Sequence, residues 1–276
     1  MGGQQPLRLG VIVGLNEHAE ASFRRAADLG LPTCQVAVWN PALYATDRGR
    51  ALPAAAQRTG VEITTIWAGW PGPAVWDLVK GPATIGLVPP DLRAERTDAL
   101  CRAADFAAAS GVPSITTHAG FIPEDPNHPD YAGTVDALRT IALRCRDRSI
   151  GLNLETGQET PVTLLRTIHD IDSDNVGINL DPANLLMYGK GNPVDALDVF
   201  GEYVRGVHAK DGEYPTDPYR LGVEKRLGEG PVNFPALIGK LKALGYHGTL
   251  TIEREISGEQ QTIDIRHAID LLTPLL

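Results

Sequence analysis

Glu155, Asp181, His208 and Glu253 end four successive runs in which apolar residues alternate with small or polar ones. The runs read Gly151-Leu-Asn-Leu-Glu155, Gly177-Ile-Asn-Leu-Asp181, Gly206-Val-His208 and Thr249-Leu-Thr-Ile-Glu253. In a strand, residues two apart share a face. Gly151, Asn153 and Glu155 therefore point one way, Leu152 and Leu154 the other, and the later runs keep that parity. Three carboxylates and an imidazole aimed inward from the same ends of four strands form the ligand set of one divalent metal ion. Left without a cation, buried like charges repel and at least one acid has to hold a proton. A divalent ion resolves the conflict. Oxygen-rich ligation with a single imidazole favours Mn²⁺, with Mg²⁺ and Co²⁺ as alternatives. Zn²⁺ also accepts Asp, Glu and His.

Elements of a particular kind have to carry these residues. β-prone apolar runs recur at 7–13, 34–38, 61–66, 114–118, 150–155, 176–181, 204–208 and 249–253. Helical periodicity fills the intervals; Phe234, Leu237, Ile238, Leu241 and Leu244 form one stripe, and Gly245 stops it. Thr160-Pro161 and Asn192-Pro193 each place a capping residue before a proline suited to a first helical turn. A closing helix is expected over 261–275. Eight strands alternating with helices in 276 residues predict an α/β fold, a single (β/α)₈ TIM barrel with residues 1–6 as a flexible tail. An open doubly wound sheet is the alternative, but no GxGxxG follows the first strand. Two long connections, 68–93 and 211–232, fall on the C-terminal face, where barrel enzymes build their sites. The first is rich in Pro, Gly and Trp and has the composition of a lid.

Composition narrows the partners. A net charge of −9 without a basic block counts against nucleic acid and anionic membrane. No apolar run is long enough to span a bilayer, and the N-terminus lacks signal-peptide features. Three cysteines without a CxxC pair suggest neither a disulfide framework nor a thiolate zinc site. Cys34 and Cys101 are expected as buried small hydrophobes. A reducing cytoplasm is the expected location, and a small carbohydrate fits as partner.

Five segments, in order, carry a family resemblance: Asn153-Leu-Glu155, Asn179-Leu-Asp-Pro-Ala-Asn184, Val207-His-Ala-Lys-Asp211, Leu227-Gly-Glu-Gly230 and Ile252-Glu-Arg-Glu255. With them, nearly the whole chain resembles the sugar phosphate isomerase/epimerase superfamily with the xylose isomerase-like TIM barrel, which includes ketose 3-epimerases and inosose dehydratases. The resemblance implies that Glu155, Asp181, His208 and Glu253 hold the metal. It also places Asn184 where ketose epimerases have a substrate-touching His; an amide can hydrogen-bond a hydroxyl there but cannot titrate.

The activity so implied is epimerisation or isomerisation of a keto sugar or sugar derivative through a metal-stabilised enediolate. Glu155 and Glu253, from strands five and eight, are the catalytic pair: one removes a proton and the other returns one to the opposite face. The same enediolate can expel a β-hydroxyl, which would make the enzyme a lyase or hydratase acting on a keto-cyclitol or 3-keto sugar. A non-catalytic sugar-binding barrel and a DNA-repair endonuclease are further alternatives. The presence of both acids argues against the first, and the acidity of the chain with its few histidines against the second.

Other residues are expected around the substrate. His118 shares inward parity with Ser114 and Thr116. Lys210, two residues after His208, either meets an enolate or carboxylate or balances Glu155 and Asp181. Gln158, on the loop after strand five, suits a sugar hydroxyl. Trp39 and Trp67 offer faces on which sugar C–H groups stack. Glu229 is expected to hold the His208 imidazole or a neighbouring lysine, or to shape its turn. His18, His128, His169, His247 and His267 are expected at the surface. Oligomeric state is open, with a homo-oligomer as one possibility.

Overall fold

The computed structural model describes residues 6–15 and 19–276. His18 and residues 1–5 of the expected tail lie outside them. In chain order the main elements are β1 (Arg8–Gly14), α1 (Ala19–Asp28), β2 (Thr33–Val38), α2 (Thr46–Thr59), β3 (Glu62–Ala68), α3 (Pro90–Ala109), β4 (Ser114–Thr117) and α4 (Pro129–Asp147). There follow β5 (Gly151–Glu155), α5 (Pro161–Ile171), β6 (Val176–Leu180), α6 (Pro182–Met187), α7 (Pro193–Phe200), β7 (Val204–Ala209), β8 (Asp211–Gly212), β9 (Glu224–Lys225), α8 (Phe234–Ala243), β10 (Thr249–Ile252) and α9 (Glu259–Leu272). Eight parallel strands close in the order β1-β10-β7-β6-β5-β4-β3-β2, and β1 pairs with β10 from Arg8↔Thr249 to Val11↔Ile252. This is the expected (β/α)₈ barrel.

Strand parity works as the sequence predicts. Leu152, Leu154, Ile178 and Leu180 are buried in the layer between strands and helices. The inward positions carry glycines because polar side chains cross the barrel in front of them. A Cβ at Gly206 would lie 2.4 Å from Oδ1 of Asn179, and one at Gly177 would lie 2.9 Å from Oδ1 of Asn153.

Helix starts are set by local chemistry. Thr160 and Asn192 cap α5 and α7 with proline at the following position, and Asn233 caps α8. The closing helix begins slightly earlier than expected, at Glu259, and ends in a 3₁₀ turn over Thr273–Leu275. Cys34 is buried as expected, whereas Cys101 is only half-buried. Among the surface histidines, His128, His169 and His247 are exposed; His267 is half-buried and bonded to the Leu227 carbonyl.

The two long connections are more ordered than their composition implies. In the first, buried Arg96 of α3 donates to the carbonyls of Pro71 (3.1 Å), Pro73 (2.7 Å) and Gly86 (2.6 Å). Arg96 thus ties both ends of the 71–86 segment to α3. The second contains the antiparallel pair β8–β9. Its organiser is the buried Asp211 carboxylate, which accepts from the backbone N–H groups of Gly212, Gly228, Gly230 and Val232. At Gly230 a Cβ would sit 2.2 Å from Asp211 Oδ1, so the Gly-Glu-Gly turn needs its second glycine for close approach.

Candidate active site

The C-terminal ends of β5, β6, β7 and β10 bring Glu155, Asp181, His208 and Glu253 together, with one ligand atom from each all within 4.8 Å of one another. His208 lies at the centre: its Nδ1 is 3.0 Å from Glu253 Oε2, 3.3 Å from Glu155 Oε1 and 3.5 Å from Asp181 Oδ2. Asp181 stands at the N-cap of α6, where Oδ1 accepts from the Asn184 N–H at 2.8 Å and Oδ2 is left facing the cluster. Asp181 Oδ2, His208 Nδ1 and Glu253 Oε2 are buried polar atoms without a hydrogen-bond partner. Buried polar atoms normally have one, and a divalent cation would supply it for all three.

Charge in the site is unbalanced. Burial alone would lower the His208 imidazole, but the Glu155 and Glu253 carboxylates raise it well above its usual value. Burial raises Asp181 to about 6, outweighing the pull of Lys210 and His208. Glu253 is held below the carboxylate range because Lys210 and His208 overcome its burial. Glu155 is likewise lowered: burial is outweighed by His118 and His208. Buried acids that compete for the proton of one imidazole and the charge of one lysine match the metal-ligand reading.

The remaining expected residues fall into two groups. His118, Asn184, Trp39 and Trp67 line the same cleft, of about 300 Å³, as Glu155 and Glu253. The indole N–H of Trp67 donates to Glu155 Oε2, Asn184 Nδ2 donates to Glu155 Oε1 at 3.4 Å, and His118 Nε2 is 3.4 Å from that same oxygen. Trp39, 54% exposed, packs on Trp67 with ring centroids 4.3 Å apart, and Trp76 lies 5.1 Å from the His118 ring. Lys210 is buried behind this surface, 3.0 Å from Glu255, 3.6 Å from Glu253 and 3.8 Å from Asp181. Of the two roles expected of it, this position is the charge-balancing one and not a place on the cleft surface; its partners are Asp181, Glu253 and Glu255 and not Glu155.

Two expected residues lie off the cleft surface. Gln158 is buried on the loop after β5, beside the cleft residue Tyr188. Of the roles expected of Glu229, holding His208 or a lysine is not what its position gives: it is exposed, paired with Arg226 at 3.6 Å, and its N–H closes the turn onto the Arg226 carbonyl at 2.9 Å. A glutamate on a surface turn loses little by facing water, whereas the position behind His208 is filled from β2. Gln35 Oε1 lies 2.9 Å from His208 Nε2. Sequence reasoning missed Gln35 although it is a polar residue at inward parity in an apolar run. Glu255 was also missed; it lines the cleft two residues beyond Glu253. Tyr188, Met187 and Leu221 reach the cleft from α6 and the 211–232 connection and gave no periodic signal.

A family model described as xylose isomerase-like TIM barrel matches residues 23–275. The chain belongs to the xylose isomerase-like TIM-barrel family. A solved structure of a xylose isomerase domain protein from Planctomyces limnophilus is 36% identical, with a TM-score of 0.92 over 98% of this chain and 97% of that one. A D-tagatose 3-epimerase-like protein is 23% identical, with a TM-score of 0.73 over 98% of this chain and 97% of its own. At that identity the likeness concerns the fold. An uncharacterized protein of Methanocaldococcus jannaschii is 31% identical over 156 residues, which is 51% of this chain and 50% of the relative; the chain thus spans about half the length of the curated relative it matches. Among the described residues of this xylose isomerase-like barrel, no helix is long and apolar enough to cross a membrane.

Proposed function

We propose that this chain is a divalent-metal-dependent epimerase or isomerase of an uncharged keto sugar or sugar derivative. The observation that carries the reading is the convergence of Glu155, Asp181, His208 and Glu253, three of them with unpartnered atoms, at a cleft walled by Trp39, Trp67 and Trp76. Those four residues would hold the ion, whose chemistry is to orient the substrate and polarise its carbonyl oxygen. Mn²⁺ suits the donor set best.

Glu155 and Glu253 are the proton carriers. Both line the cleft, and turnover needs one of them ionised as base and the other carrying the proton it will deliver, the two exchanging states in each cycle. One takes the proton from the carbon beside the carbonyl and the other delivers a proton to the opposite face, inverting that centre. Glu155 is oriented by Trp67 and Asn184, Glu253 by Lys210. Asn184 accepts from Lys210 at 3.4 Å while donating to Glu155, so it ties the two acids' supports together and can also meet a hydroxyl. The tryptophan wall stacks on sugar C–H faces and limits water. Among the described residues no lysine or arginine lines the cleft, and Glu255 adds a third carboxylate beside Glu155 and Glu253. A phosphorylated substrate would meet repulsion there, which is why an uncharged one is proposed.

The test is incubation of the protein with Mn²⁺ and a panel of ketoses and keto-cyclitols in D₂O, followed by NMR and ultraviolet absorbance. Deuterium at a carbon beside the carbonyl, with the skeleton retained, is the expected result. An enone absorbance would transfer the protein to the lyases, and absence of exchange with every metal would overturn the reading. Glu155→Gln and Glu253→Gln should each abolish exchange.

A further inference from the structure

The metal-ligand reading leaves open what fixes the ring of His208, and the polar interior beneath the site addresses it. An imidazole that offers its Nδ1 lone pair to a cation carries its hydrogen on Nε2. A protonated imidazole carries one there as well. In either state the group facing Nε2 has to accept. That group is Gln35 Oε1 at 2.9 Å. With its oxygen so committed, the Gln35 amide NH₂ points away from the site and donates to Asn179 Oδ1 at 3.2 Å. Both side chains are buried, at 2% and 0% exposure. The two residues also border a polar cavity of about 190 Å³ at the opposite, N-terminal mouth of the barrel.

Backbone geometry makes room for this chain of bonds. Asn179 is paired in register with Gly206, two residues before His208 on β7. A Cβ at Gly206 would meet Asn179 Oδ1 at 2.4 Å and approach Gln35 Nε2 to 3.8 Å. The Gly206-Val-His208 spacing therefore joins the imidazole to the gap that accommodates its support.

We propose that Gln35, itself oriented by Asn179 through the gap at Gly206, is a positioning residue for His208: it fixes the ring so that Nδ1 faces the three carboxylates. The proposal rests on the metal-binding reading above. Outer partners of this kind tune ligand orientation and basicity, and their loss commonly weakens metal binding 10- to 100-fold.

Isothermal titration of chelator-stripped protein with Mn²⁺ tests it. Gln35→Leu, similar in size but unable to accept, should weaken binding by roughly 10- to 100-fold. Gln35→Glu keeps the acceptor, and Asn179 can turn its unpartnered Nδ2 toward the new carboxylate; binding should return to near the wild-type level. Gly206→Ala, which crowds Asn179 while leaving Gln35 in place, should weaken binding less than Gln35→Leu but measurably. Should Gln35→Leu not fold, the other two variants decide, together with NMR of ¹⁵N-histidine in Mg²⁺-loaded wild type. The spectrum should show His208 with its proton on Nε2. Wild-type affinity in Gln35→Leu, equal losses in the Leu and Glu variants, or a proton on Nδ1 would overturn the proposal while the metal site stands. Failure of the wild type to bind any divalent ion would overturn the metal reading and this inference with it.

Discussion

The Trp67 indole, the Asn184 amide and the His118 ring all meet the buried carboxylate of Glu155. A hydrogen bond to a buried charge contributes roughly 1.5–3 kcal/mol. Trp67→Phe keeps the ring and removes the donor, so kcat should fall about 10-fold or more with little change in KM; steady-state kinetics on whichever sugar exchanges deuterium decides, and an unchanged kcat would refute the role. A second prediction concerns Glu159, buried close to this site on the loop after β5 with neither carboxylate oxygen partnered. Burial raises it to about 8 from 4.5. Below pH 4.5 the carboxyl is neutral folded or unfolded. Between about 4.5 and 8 the unfolded chain ionises and the folded one does not, so stability is lost as pH rises through that window, by an amount on the order of 5 kcal/mol. Glu159→Gln lacks this loss: its Tm relative to wild type should climb from pH 5 to pH 8.5, and parallel pH profiles would rule the effect out. At this scale the four convergent residues were legible because parity and repetition exposed them. Gln35, Glu159 and Glu255 were not, since each owes its significance to neighbours from distant parts of the chain.

At the scale of elements, the wall formed by residues 70–86 depends on one side chain of α3. Arg96 satisfies three carbonyls of that segment, and its guanidinium lies 5.4 Å from the centre of the Trp70 ring. Arg96→Met fills similar space but leaves the carbonyls of Pro71, Pro73 and Gly86 unpaired. Only the Gly86 carbonyl is fully buried, and at roughly 1–3 kcal/mol for a buried group left unsatisfied a loss of about 1–3 kcal/mol is expected. Urea unfolding measures the loss, and hydrogen exchange should speed up at residues 71–86; unaltered exchange there would show that the segment holds itself. Elements announced by local chemistry were readable beforehand: the Thr160-Pro161 and Asn192-Pro193 starts and the strand runs match the structure closely. The order within the two long connections was not readable. Arg96 lies far along a helix from the carbonyls it binds, and the β8–β9 pair is only two residues per strand, too short for any period to show.

At the scale of the whole molecule, closure through β1 and β10 gives the candidate metal site its leverage on stability. Its residues come from β5, β6, β7 and β10, and Trp67, which donates to Glu155, comes from β3 on the far side of the ring. Closure was foreseeable from eight βα units and inward glycines, although the strand runs alone fit an open sheet too; the β1–β10 pairing distinguishes the two. An ion that binds only the folded barrel stabilises it by RT ln(1 + [L]/Kd), about 2.7 kcal/mol at a hundred times Kd. For a chain of this length that corresponds to a rise in Tm of roughly 5 °C. Mn²⁺ should therefore raise the Tm of chelator-treated protein by about that amount, and added EDTA should reverse it. Asp181→Asn keeps the α6 cap, because the amide oxygen still accepts from the Asn184 N–H, yet it removes charge from the ligand set. Its metal-free Tm should be close to or above that of wild type, since the buried acid is gone, while its response to Mn²⁺ should largely vanish. An undiminished response in that variant would place the ion elsewhere on the barrel.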